Sequence, residues 1–131
     1  MQYEEFIDRV RQRAGLGSFA EAETVSRATL TVLGEYLSGG EGLDIASQLP
    51  HGLAEVLRRQ PPDRSMIFSL DDFVQLVCEE EAVEEFEDAM ANARAVMAVL
   101  GEAVSGGEME DVRRQFPGEF DPLFESGDGA S

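Results

Sequence analysis

Val32-Leu33-Gly34-Glu35-Tyr36-Leu37-Ser38-Gly39-Gly40-Glu41 returns, 67 residues on, as Val99-Leu100-Gly101-Glu102-Ala103-Val104-Ser105-Gly106-Gly107-Glu108. Extended outward without a gap, the alignment lays Tyr3–Leu57 over Leu70–Phe124, with 17 of 55 positions identical. Asp44, Gln48 and Pro50 reappear as Asp111, Gln115 and Pro117. One such block is too small to bury a sound core alone, since a domain of about 60 residues buries only about 60% of its unfolded surface. Two copies are also too few for a solenoid. The expectation is therefore one intramolecular pair: a single domain over 1–125, with repeat one at 3–57, a linker at 58–69 and repeat two at 70–124.

Within each copy the apolar spacing is helical. Tyr3, Phe6, Ile7, Val10 and Ala14 follow i, i+3, i+4, i+7, and Leu70, Phe73, Val74 and Val77 repeat the pattern. Ser18 with Glu21 is a capping box that opens a long helix from about Phe19 to Leu37. Its counterpart, about Phe86 to Val104, has Arg94 and Glu102 as the only charged residues from Ala89 onward. A helix apolar nearly all round belongs in a core, so this one is placed innermost, packed on its twin. Both long helices run into Ser-Gly-Gly-Glu, and Gly39 or Gly40, and Gly106 or Gly107, read as helix stops able to take the left-handed conformation. A short helix starts near Glu41 or Glu108 and ends at Pro50 or Pro117, and another short one follows. The fold class is all-α: about eight helices in two four-helix repeats packed as a pseudo-twofold pair. Ser65-Met66-Ile67-Phe68 is the one short strand candidate, Pro61-Pro62 makes the linker extended, and the tail 126–131 reads as disordered.

Composition narrows the partners. The net charge is −17, and all ten basic residues are Arg. Repeat two carries 15 acidic and 3 basic residues, against 9 and 4 in repeat one. Such a field repels nucleic acid and anionic lipid, and no apolar run approaches a membrane span. Abundant acid with Arg alone fits a GC-rich genome or a halophilic cytoplasm. One cysteine, Cys78, excludes an internal disulfide and suits a reducing compartment. A cytoplasmic protein is expected.

No catalytic constellation emerges. Leu37-Ser38-Gly39-Gly40-Glu41 looks like the signature loop of ATP-binding cassette transporters, but the phosphate-cradling loop that must accompany it needs a Lys, and the chain has none. His51, the lone histidine, is replaced by Gly118 in repeat two and reads as an exposed helix-start residue. Cys78 beside Glu79-Glu80-Glu81 lacks the positive surroundings of a reactive thiol. The acidic run Glu79–Asp88 lacks the ligand alternation of a calcium loop and reads as a solvated helix face or turn, with a metal-dependent enzyme a distant alternative. Both copies keep an Arg and a Glu eight residues apart, Arg27 with Glu35 and Arg94 with Glu102. If the long helices cross antiparallel near Thr31 and Ala98, Arg27 meets Glu102 and Arg94 meets Glu35. No cofactor is expected.

The paired elements resemble the prokaryotic domain-of-unknown-function family 2267. They are Tyr3-Glu4-Glu5-Phe6, Val32 to Glu41, Gln48-Leu49-Pro50, Phe68 to Phe73, and Val104 to Glu108 with Gln115-Phe116-Pro117. The resemblance implies an all-helical tandem-repeat protein of bacteria or archaea and carries over no catalytic residues. The leading expectation is a non-catalytic helical module that binds another protein or itself, through an apolar patch of Phe116, Phe120, Leu123 and Phe124. The alternative is a small-ligand sensor with a pocket between the repeats, near Cys78, Phe86, Met90 and Met97. Arg58, Arg59 and Arg64 form a basic cluster that docks on repeat two or on an anionic partner.

Overall fold

Apolar residues one helical turn apart, acidic residues in the first turn and arginines in the last dictate helix α1, Tyr3–Ala14. It buries Phe6, Ile7 and Val10 completely. Gly15 then takes φ +68° and ψ +35°, and the Leu16 amide donates to the Arg11 carbonyl. This left-handed stop swings Leu16 back toward the body of the protein. Ser18 caps α2, Phe19–Tyr36, by accepting from the Glu21 amide at 3.1 Å. The computed structural model describes residues 1–37, 41–59, 69–81 and 85–125. Repeat one continues with α3, Glu41–Ala46, and α4, His51–Arg59. Repeat two comprises α5, Leu70–Glu81, with the Ser69 hydroxyl accepting from the Asp72 amide. It goes on through α6, Phe86–Ala103, and α7, Gly106–Arg114, to a 3-10 turn, Gly118–Phe120, and α8, Asp121–Phe124. The described residues contain these eight α-helices and no strand, and no helix among them is long and apolar enough to cross a membrane.

The repeats interlock. Helix α1 packs on α2 and on α6 of the other repeat; α5 packs on α6 and on α2. The two long helices touch each other at the centre, and α3 meets α7. One core cluster follows, running from Phe6, Val10 and Leu33 of repeat one into Phe73, Val77 and Leu100 of repeat two. Burial of each such side chain is worth roughly 1.5–3 kcal/mol, and the cluster is shared across the repeat boundary through α1 on α6, α5 on α2 and α2 on α6. The sequence placed α6 innermost; α2 is buried just as deeply, from Ala22 through Leu33 to Tyr36. The reason is that each long helix is clasped by the first helix of both repeats.

Two boundaries differ from the sequence reading. Gly106 and Gly107 do not stop α6. That helix ends at Ala103 with Val104 extended, at φ −114°. Ser105 then caps α7, accepting from the Glu108 amide at 3.3 Å, and the two glycines form its first turn. Ser105-Gly106-Gly107-Glu108 is thus a serine-capped helix start, with the Ser105 amide donating to Gln48 Oε1 of repeat one at 2.6 Å. Second, Arg58 and Arg59 belong to α4 and not to a linker. The readings of Gly39 and Gly40, of the Pro61-Pro62 path, of Arg64 and the Ser65–Phe68 strand, and of the tail at 126–131 lie outside the described residues.

Candidate functional site

Because α5 ends at Glu81 between α2 and α6, its last side chain is carried into the protein interior. Glu81 is only 8% exposed. Its Oε1 accepts a hydrogen bond from Asn92 Nδ2 at 3.1 Å; its Oε2 is buried and has no partner. Asn92, on the second turn of α6, is itself 7% exposed. Burial pushes the Glu81 carboxyl up from an ordinary 4.5 to about 7, against the lowering effect of the Asn92 amide and with a further push from the Asp88 charge. Its position at the negative end of α5 acts in the same direction.

Glu81 and Asn92 form one wall of a cleft of about 310 Å³. The other wall comes from repeat one: Ala20, Glu21, Thr24 and Val25 of α2, with Leu16 delivered by the left-handed turn at Gly15. Apolar surface thus faces a polar pair, with a carboxylate and a hydroxyl on the α2 side. The asymmetry between repeats is sharp. The positions equivalent to Glu81 and Asn92 are Ala14 and Val25, so repeat one has no such pair. The sequence reading took the Glu79–Asp88 run as solvated. Glu81 overturns that for one residue, because the i, i+3, i+4 stripe of Phe73, Val74, Val77 and Cys78 carries on to position 81.

A second cleft, about 380 Å³, lies beneath α7 and is lined by Arg13, Met97, Gly101, Met109, Arg113 and Phe124 among others. Of the residues expected around an inter-repeat pocket, Met97 lines it. Cys78 is buried, Met90 half-buried and Phe86 39% exposed. The guanidiniums around this cleft already have acidic partners. Glu102 accepts from Arg9 at 2.7 Å and from Arg13, and Arg113 lies 3.6 Å from Asp121.

That arrangement corrects the proposed crossed pairs. Among the described residues, Arg27 does not pair with Glu102, nor Arg94 with Glu35. Helix α1 lies against α6, so Arg9 and Arg13, one turn apart, reach Glu102 first. They hold its carboxyl below the usual range despite partial burial. Arg27 instead faces the Tyr3 hydroxyl, which donates to Glu23 at 2.5 Å. Repeat two has Leu70 and Met90 at those places, and Arg94 Nε is buried without a partner.

The apolar patch is also corrected. Phe116, Phe120 and Leu123 are at most 8% exposed, and Phe124 is half-buried. Phe116 stacks on Tyr36 of repeat one with centroids 4.2 Å apart and planes at 8°, and packs against Phe120 at 5.0 Å and Phe124 at 5.2 Å. Arg113 covers the Phe124 ring at 5.4 Å. These four close the core; they do not form a free surface.

The remaining reactive side chains, His51 and Cys78, are not among those lining the Glu81 cleft. His51 is exposed at the start of α4. Cys78 is buried, its thiol raised by burial and by Glu81 and Glu79. Among the described residues no three His, Cys, Asp or Glu side chains converge as a metal site would require. A comparison with curated proteins finds no match. A family match spans residues 3–123, and by it the chain belongs to the family described as Uncharacterized conserved protein (DUF2267).

Proposed function

We propose that this protein is a non-catalytic binding module whose ligand is a small molecule held in the cleft between the two repeats. The observation that carries the reading is the Glu81 carboxyl, buried on the cleft wall with one oxygen lacking a partner. An unsatisfied buried polar group costs about 1–3 kcal/mol, and a ligand that turns the Glu81 carboxyl toward the cleft, opening an oxygen now closed to solvent, and supplies the missing hydrogen bond recovers part of that. Apolar walls with a few convergent polar groups are the usual make-up of small-molecule sites. Both repeats contribute to the cleft, so a ligand there bears on how they pack, which suits a sensor. The same reading takes the repeats as related by an approximate twofold, supported by the exchange of helix pairs: α1 on α6 answers α5 on α2.

The test is a screen of small organic fragments against the full chain by NMR, with labelled Leu, Val, Ala and Met methyls and the Asn side-chain amides. Hits that move Leu16, Ala20, Val25 and Asn92 together support the reading. Hits confined to Met97 and Met109, in the other cleft, refute it.

A protein-interaction role keeps one supporting observation. Phe19 and Phe86, equivalent in the two repeats, are the large apolar side chains left exposed among the described residues, at 40% and 39%. Sedimentation of the chain against a Phe19→Ser/Phe86→Ser variant tests whether they mediate self-association. Identical sedimentation up to high concentration removes that support.

A further inference from the structure

We infer that the cleft takes a small organic ammonium, a protonated amine on a short apolar body; this rests on the reading of the cleft as the binding site. The charges that face Glu81 all have one sign. Asp88 acts on it from α6, and Glu21 shares the cleft from α2. On α5 itself the adjoining titratable groups are Glu79, Glu80 and the buried Cys78 thiol, which responds to the Glu81 charge. Among the described residues no Arg lines this cleft. An anionic ligand entering here meets carboxylates with nothing to offset them. A neutral ligand leaves the surrounding negative field as it was.

An ammonium answers both. It brings three donors and no acceptor, matching the carboxyls of Glu81 and Glu21 and the Thr24 hydroxyl oxygen, all from residues that line the cleft. Its charge favours the ionised form of Glu81, so the carboxyl releases its proton to solvent while the ammonium keeps its own. Leu16, Ala20 and Val25 receive the apolar body. Those same walls argue against a bare metal ion, which wants oxygen on all sides, and no three candidate ligands converge among the described residues. Glu81 itself, a carboxyl 8% exposed and bonded on one oxygen only, is not a solvated surface acid.

The experiment titrates the full chain with benzylammonium chloride, and in parallel with benzyl alcohol and with calcium chloride, following the Asn92 side-chain amide and the Val25 methyls. Benzylammonium should saturate these signals, and its affinity should rise about tenfold from pH 6 to pH 8 as the ionised share of a group titrating near 7 rises. Calorimetry in two buffers of different ionisation heat should register proton release at pH 6.5. Glu81→Gln should weaken binding at least about tenfold, and the pH dependence in the native chain stands as a separate readout should that variant misfold. Equal binding of benzyl alcohol, or affinity flat in pH, overturns the ammonium and leaves the cleft as a site. Calcium producing the same shifts at lower concentration overturns it in favour of an inorganic cation. No binding by any of the three overturns both the ammonium and the cleft.

Discussion

Glu81→Gln should make the protein more stable, and increasingly so as the pH rises. The folded protein holds the Glu81 proton up to about pH 7, whereas the ordinary value is 4.5. Between those limits the native state binds more protons than the unfolded chain, so native stability falls as pH rises through the window. The contribution is fully present below pH 4.5 and gone above about pH 8. At about 1.4 kcal/mol per pH unit the full displacement amounts to about 3 kcal/mol. Solvent at the cleft mouth screens part of the charge, so about 2 kcal/mol is the working figure. Gln is nearly the same shape, keeps an oxygen for the Asn92 amide and does not titrate. The gap between variant and native chain should therefore open from near zero at pH 5 to about 2 kcal/mol at pH 8.5. With no Trp in the chain, far-UV circular dichroism in urea is the assay. At a slope of roughly 1.5 kcal/mol per molar, the midpoints should separate by more than about 1 M urea at the high pH. Carboxylates common to both proteins cancel in the difference. A gap that stays constant within about 0.5 kcal/mol from pH 5 to 8.5 would refute the account of Glu81 as a carboxyl held neutral by burial.

Phe116→Ala removes the stacked partner of Tyr36 and should cost about 3–5 kcal/mol by urea unfolding; a loss under about 1 kcal/mol would return Phe116 to the surface. At Gly52 an added Cβ would sit 2.8 Å from Tyr3 Cε2. Gly52→Ala should therefore destabilise by about 1–2 kcal/mol despite the helix preference for Ala, and loss of the Tyr3–Glu23 contact should show in the Tyr3 ring signals; a stabilised variant contradicts the close approach. Finally, with a net charge of −17, the melting temperature should rise from low salt to 1 M KCl, where charges interact over only about 3 Å. A flat or falling trend disproves self-repulsion as a significant term.

Architecture was legible because the repeat doubles every signal. Phe6 with Phe73, Val10 with Val77 and Leu33 with Leu100 are identical pairs with helical spacing, and all six are fully buried. The capping serine Ser18 acts as read. Ser105-Gly106-Gly107-Glu108 was misread because the glycine signal was allowed to outweigh the Ser-x-x-Glu spacing within the same four letters. The closing Phe set was misplaced for a similar reason: its equivalents Leu49, Leu53, Val56 and Leu57 are all apolar, a core signature, and all are buried. The Arg–Glu pairing failed on a different ground. Sequence spacing along α2 and α6 says nothing of a third helix between them and solvent, and α1 supplies Arg9 and Arg13 from that side.

The Glu81 cleft was hidden for a more instructive reason. A Glu at the end of an acidic run reads as surface, and only the continuation of the α5 stripe to position 81 signalled otherwise. Comparing the repeats gives the sharper signal. Where both copies agree on a buried position they agree on an apolar residue: Ala22 with Ala89, Ala28 with Ala95, Val32 with Val99. At two buried or cleft-lining positions repeat two departs to a polar residue, Glu81 for Ala14 and Asn92 for Val25, and those two are hydrogen-bonded to each other. For stability alone the repeat-one residues serve better, because a carboxyl taken out of water forfeits hydration that one amide bond does not restore. A pair that costs stability, sits at the junction of the repeats and leaves one oxygen without a partner is accounted for most simply by something that binds there.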